Sequence, residues 1–271
     1  MTTWYDHPQY FEMVFRDETP TEIEFFEQCF DRYVDGPVET LFDPGCGGGR
    51  LVVGMAAKGY QSTGLDLSDA MVRYANAALR RRKLGGKLND DGSPPTRGSV
   101  VVRGDMSDFE LPRTFDAVHC TFNTFRHLMK QTQVDGHFAS VARHLRPGGI
   151  YILGYHLIPP DAEEAEIERY TATHGGTRVS CTLRVTDFDR RTRTENIRIN
   201  VKATLKSGKI KRIVSEFPLR LYNARQTKSW IKRHDDKFEL VAVHDFGYDI
   251  DETREIDDDL ADAIFILRRR G

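Results

Sequence analysis

Residues 41–51 read Leu-Phe-Asp-Pro-Gly-Cys-Gly-Gly-Gly-Arg-Leu. An apolar run ends in Asp43, glycines stand at 45, 47 and 49, and a helical pattern opens at Arg50. Small residues between a strand and a helix N-terminus let backbone approach a ligand closely. A dinucleotide site would need G-x-G-x-x-G, whose third glycine lets helix and strand pack. That position holds Arg50 counted from Gly45 and Val52 counted from Gly47, so the pattern fails. No G-x-x-x-x-G-K-[ST] phosphate loop is present either. An acid at the strand end repels a pyrophosphate but suits the ammonium side of an amino acid.

Outward from this loop, short apolar runs alternate with helical stretches. Strands are predicted at Val38–Phe42, Gln61–Leu65, Val100–Arg103, Phe115–Cys120 and Ile150–His156, with helices such as Ala70–Lys83 and Val134–Leu145 between them. Continuous apolar strands fit a parallel sheet covered on both faces, a doubly wound α/β layout. Upstream, Pro20 and Thr21 read as a helix start, with Ile23, Phe26 and Phe30 along one face. Leu84–Ser99 is a Gly/Pro/Asp-rich loop, and Leu145–Gly149 a turn into the fifth strand.

Beyond Pro159-Pro160 the period changes to strict alternation at Val179–Val185, Ile197–Ala203 and Ile213–Leu221. Alternation marks an antiparallel sheet with one buried face, here a three-stranded insert. A helix (Ala224–Arg233) and strands at Phe238–His244 and Ala263–Leu267 then rejoin the main sheet. The expected division is an N-terminal helical cover (1–36), a core (37–158), the insert acting as a lid (159–223), and a C-terminal part (224–271). No repeat is visible.

The 271 residues carry 39 Lys+Arg against 41 Asp+Glu, a net charge of −2 that gives no global pull toward nucleic acid. Charge is nonetheless uneven: residues 178–233 hold 16 Lys/Arg against 4 Asp/Glu, and 235–262 is acidic. This is either a solvated face or a positive lid for an acidic substrate or RNA phosphate. No apolar run nears the roughly 18 residues of a membrane span. The four cysteines form no C-x-x-C pair, and the N-terminus lacks a basic-apolar leader, so a cytoplasmic protein without disulfides is expected. No His spacing suggests a metal.

Asp43, Gly45, Gly47 and Gly49 fall in register with the D/E-x-G-x-G-x-G signature of class I S-adenosylmethionine-dependent methyltransferases, which this chain resembles over about Val38–His156. The resemblance implies a Rossmann-like sheet and S-adenosylmethionine as cofactor, released as S-adenosylhomocysteine. It places Asp66, with Leu67 beside it, on the ribose hydroxyls, and Asp105-Met106 near the adenine. Cys46 of the loop, Tyr5 over the cofactor and Phe122 after the fourth strand complete the implied set. A turn or cap role for each single Asp stays open.

Thr121–Leu128 is similar to a stretch of small-molecule methyltransferases, including amino-sugar N-methyltransferases, in which a His faces the acceptor; His127 matches it. It would act as a general base or acceptor-orienting group, its ordinary pKa suiting proton removal near neutrality, or else pack the next helix. Asn123, Tyr155, His156 and Tyr10 are further candidates for the acceptor pocket. The N-terminal aromatics either cover the cofactor or staple their segment to the core. His119, beside Cys120, reads as a buried histidine with its hydrogen bonds satisfied.

The expected function is methyl transfer to an N or O atom of a small molecule by a monomer or homodimer. The alternatives are an RNA or protein methyltransferase using the basic insert, or a non-catalytic protein that binds the same cofactor.

Overall fold

A computed structural model describes residues 3–89, 95, 97–159 and 167–271. After a 3₁₀ turn at Trp4–Asp6 come α1 (Pro8–Phe15) and α2 (Thr19–Tyr33). The core then runs β1 (Thr40–Pro44), α3 (Arg50–Lys58), β2 (Gln61–Asp66), α4 (Asp69–Arg81), β3 (Val100–Arg103), β4 (Phe115–Cys120), a 3₁₀ turn at Thr124–His127, α5 (Gln131–His144) and β5 (Leu145–His156). There follow β6 (Ile167–His174), β7 (Thr177–Asp189), β8 (Thr194–Thr204), β9 (Ile210–Arg220), α6 (Ala224–Arg233), β10 (Phe238–His244) and β11 (Asp262–Arg269).

Seven strands form one sheet in the order β10-β11-β5-β4-β1-β2-β3. β1 to β5 are parallel, and β11 pairs antiparallel with both β5 and β10. β1 is flanked by β2 on one side and β4 on the other, so strand order reverses at its carboxyl end. Such a reversal opens a crevice there.

Both sheet faces are buried. Phe42, Val118, Tyr151 and Phe265 pack under α5 and α6, while Leu41, Ile152, Ile264 and Ile266 pack under α2. Continuous burial explains why these strands read as apolar runs without alternation.

The insert has four strands, β6-β7-β8-β9, rather than three. β6 escaped the pattern because it lies at the edge: Ile167, Arg169, Thr171 and Thr173 face solvent, and its inward positions, Glu168, Tyr170 and Ala172, are only half-buried. The inner face of the sheet (Val179, Cys181, Ile199, Val201, Ile213) packs on Trp4, Tyr10 and Met13. β5 begins at Leu145, absorbing the expected turn, and α2 begins two residues before Thr21. Of the loop expected over 84–99, residues 90–94 and 96 lie outside the described residues, as do 160–166 at the start of the insert.

Candidate active site

The glycine loop is shaped by its neighbours. The Gly45 and Cys46 N–H groups donate to the Leu65 carbonyl at 2.6 and 3.0 Å, pinning the loop against the end of β2. Gly49 sits at φ 76° as the cap residue of α3, and a Cβ there would stand 2.7 Å from that of Ala75. Its glycine character therefore serves the packing of α3 on α4, and Gly49 does not line the cavity.

Asp66, the last residue of β2, accepts the Gly47 N–H and the Ser68 N–H, both at 2.8 Å, one on each carboxylate oxygen. Its carboxyl is raised above the usual range because burial outweighs those two donors. The Gly47 N–H, which a pyrophosphate site would aim at its ligand, is spent on a carboxylate of the chain itself. The remaining lone pairs of Asp66 are free for neutral hydroxyl donors. Asp43 is also buried, and burial pushes its carboxyl well above the ordinary range. Two acids at the strand ends make this a place for a cationic, hydroxyl-bearing ligand.

Arg50, whose position broke the dinucleotide pattern, has a local task. It pairs with buried Glu22, donates to Thr19 Oγ1 at 3.3 Å, and lies 5.0 Å over the Phe122 ring. Thr121 Oγ1 donates to the other Glu22 oxygen at 3.1 Å. Together they hold the loop after β4, where Phe122 and Asn123 take φ values of 60° and 65°. Left-handed backbone is tolerated by Asn but uncommon for Phe, and such strain concentrates at functional sites.

These elements surround a cavity of about 1320 Å³. That exceeds the ~300–1,000 Å³ of a single small-ligand pocket and suits a cofactor and an acceptor side by side. Tyr5, Asp43, Gly45, Cys46, Gly47, Asp66, Leu67, Asp105, Met106 and Phe122 line it, as do Asn123, His127 and His156.

Tyr155 and Tyr10 do not belong to it. Tyr155 is fully buried, bonded to Thr227 Oγ1 at 3.0 Å and to the Trp230 indole N–H at 2.7 Å. Expected in the acceptor pocket, it instead packs on the face of the sheet that α5 and α6 cover. Tyr10 is buried in the cluster beneath the insert. Tyr5, in contrast, both covers the cavity and packs on Phe217 and His127, so cover and staple coincide.

His127, expected as a general base, an acceptor-orienting group or a packing residue, lines the cavity beside Tyr5. Its Nε2 is 3.0 Å from the Tyr5 hydroxyl, and burial, helped by the neighbouring Arg126 charge, lowers its pKa to about 4. A histidine so placed is neutral at pH 7, with its Nε2 engaged by the Tyr5 hydroxyl. His119 differs from expectation: it is buried with neither ring nitrogen hydrogen-bonded, its Nδ1 3.7 Å from Asp43.

Among the wall residues that were not anticipated are Glu195, Arg126 and Asp262. Glu195 on β8 is buried against Arg126, whose Nε donates to the Arg220 carbonyl at 2.9 Å. Its signal was a charge two residues before Ile197, on the inward side of an alternating strand. Asp262 opens β11 and bonds His156, and nothing local in the sequence announces that pairing. Among the described residues no group of His, Cys, Asp and Glu could hold a metal, and the cysteines are unpaired. Among the described residues no helix is long and apolar enough to cross a membrane.

With this geometry in view, the comparisons with known proteins are specific. Residues 42–153 match the methyltransferase domain family. The methyltransferase domain takes S-adenosylmethionine as its cofactor, and the Asp66 cradle and acidic strand ends fit that cationic ligand. The chain is 30% identical over 141 residues to a dTDP-3-amino-3,6-dideoxy-alpha-D-glucopyranose N,N-dimethyltransferase of Streptomyces fradiae, covering 52% of this chain and 49% of that one. It thus spans about half the length of the curated relatives it matches. In fold it is similar to an S-adenosylmethionine-dependent methyltransferase from Clostridium acetobutylicum (TM-score 0.72, 15% identity, 96% of each chain). It is also similar to CalS10, an amino pentose methyltransferase from Micromonospora echinaspora with the cofactor bound (TM-score 0.65, 20% identity, 92% of this chain and 90% of that one).

Proposed function

We propose that the protein moves the methyl group of S-adenosylmethionine to an amine nitrogen of a small polar acceptor, in the cytoplasm. The observation that carries this reading is a single cavity that runs from the Asp66 end of β2 to the inner face of the insert. The Asp66 carboxylate cradle would take the cofactor, and His127, Glu195 and His156, beside the insert strands, would border the acceptor half. Asp66 would hold the ribose hydroxyls, Asp105 and Met106 would border the adenine, Phe122 would wall the cofactor, and Tyr5 would turn its ring toward the sulfonium. His127, neutral and braced by Tyr5, would orient the acceptor. Direct displacement at a sulfonium methyl needs in-line alignment and exclusion of water more than acid–base machinery, and a cavity with room for both reactants would favour that alignment.

The sugar-amine acceptor of the Streptomyces fradiae relative supports an amine over a hydroxyl. The basic insert argues little for RNA: of its cations in 178–233, only Arg184 lines the cavity among the described residues. Arg178, Arg198, Lys202 and Arg212 are exposed, at strand positions alternating with the buried Val179, Ile197, Ile199, Val201 and Ile213.

The test is titration calorimetry with S-adenosylmethionine and NADH, followed by S-adenosylhomocysteine release across a panel of amino sugars, amino acids and phenols. The reading expects heat with S-adenosylmethionine alone and turnover confined to amines. Binding of NADH, or turnover only with hydroxyl acceptors, would refute it.

A further inference from the structure

Methyl transfer to an amine creates a proton-disposal problem. The nitrogen lone pair forms the new N–C bond, the S–C bond breaks toward sulfur, and the product nitrogen is left as an ammonium. That proton must leave before a second methyl can be accepted. The site therefore needs a lone pair that faces the acceptor and opens toward water.

The titratable groups of the acceptor half are mostly engaged. Glu195 is clamped by Arg126, Glu168 receives the Tyr170 hydroxyl at 2.5 Å, and His127 Nε2 is paired with Tyr5. His156 differs. Its Nδ1 is bonded to Asp262 Oδ1, its Nε2 has no partner among the described residues, and its ring lines the cavity with the side chain 35% exposed. A carboxylate on Nδ1 fixes that nitrogen as the protonated one and leaves Nε2 as the acceptor.

We propose that His156, oriented by Asp262, takes the proton from the acceptor nitrogen, an inference that rests on the amine-methylation reading above. The two residues are register partners at the ends of β5 and β11, so sheet pairing itself brings them together. Sites built on strands hold geometry better than sites on loops. His156 is tied to the strained loop as well, its backbone N–H donating to Asn123 Oδ1 at 2.9 Å, and its ring meets Phe246 edge-on at 5.2 Å. The proton passes from nitrogen to Nε2, the imidazolium is stabilised by Asp262, and the exposed edge returns it to solvent. His156 is the catalytic residue of the pair and Asp262 a positioning residue.

Two measurements decide it. Imidazole ¹⁵N NMR of the protein saturated with S-adenosylhomocysteine is expected to find His156 protonated on Nδ1, with Asp262→Asn moving the proton to Nε2. Turnover is measured with dTDP-3-amino-3,6-dideoxy-α-D-glucopyranose, the amine named for the Streptomyces fradiae relative. There His156→Ala should lower kcat about 100-fold, a usual share for a general base, and leave S-adenosylmethionine affinity in place as proof of folding. Added imidazole should restore part of the rate, and Asp262→Asn should lower kcat about tenfold with KM little changed. An Nε2–H tautomer in the unmodified protein overturns the proposal. So does wild-type kcat in both His156→Ala and His156→Gln, or a loss that imidazole does not mend. An unmodified protein inert toward this amine counts against the acceptor reading, and the tautomer then decides the pair alone.

Discussion

Asp66 concentrates the chemistry of the cofactor half in one side chain. Each oxygen already accepts a backbone N–H, which fixes the carboxylate plane and aims the remaining lone pairs outward. Asp66→Asn keeps the volume but removes the charge and turns one acceptor into a donor. With Asp66 in the proposed role, the loss of its charge-assisted bonds to two ribose hydroxyls would cost about 3 kcal/mol, so calorimetry should find S-adenosylmethionine affinity down roughly 100-fold. Much of this half was legible in the sequence, because an acid after an apolar run followed by glycines is a local signal. The state of His127 was not: its burial and its contact with Tyr5, 122 positions away, exist only after folding. Asp262 was hidden from His156 for the same reason, by 106 positions.

At the scale of elements, the joint between α3 and α4 makes a sharp prediction. Gly49→Ala would put a side chain at φ 76° and a methyl 2.7 Å from Ala75. Left-handed backbone costs about 1–2 kcal/mol and overpacking a further ~1–3. Urea denaturation should therefore show a loss of roughly 2–5 kcal/mol, while Gly59→Ala, at φ 106° with nothing within 4 Å, should show only the backbone part. Element boundaries were legible where chemistry punctuates the chain. α6 has the bounds its pattern gave, with Asn223 capping Gln226 at 2.9 Å. β6 was illegible because an edge strand with polar residues on both faces carries no period.

The whole molecule is held together partly by polar groups buried between its layers. Arg126, on the loop after β4, reaches Glu195 on β8 and the carbonyl of Arg220 on β9, joining core and insert. Glu195→Ala would leave the guanidinium buried and uncompensated, at a cost of about 3–5 kcal/mol. Hydrogen exchange should accelerate in β8 and β9 ahead of β1 and β4.

Buried histidines set the response to acid. His119, His127 and His137 have pKa values lowered to about 3, 4 and 4, chiefly by burial. In each case the unfolded chain binds a proton below about pH 6.5 that the folded chain refuses until its own lower pKa. Stability present above that pH is lost as pH falls toward 4, at up to about 1.4 kcal/mol per unit for each histidine. Asp43, raised by burial, works in the opposite sense. His119→Leu removes two unpartnered ring nitrogens along with the proton linkage. It should be at least as stable at pH 7, and should lose about 1.4 kcal/mol less per pH unit between 6.5 and 4 in urea titrations.

The place of β11 between β5 and β10 has a consequence for biosynthesis. A ribosome delivers residues 43–127, and with them the adenosyl cradle, long before residues 262–269. Through that interval β5 exposes an unsatisfied edge bearing Ile150, Ile152 and Leu153, side chains destined for full burial. An open apolar edge invites pairing with another nascent chain. The pairing that brings Asp262 to His156 is therefore the same one that covers the β5 edge.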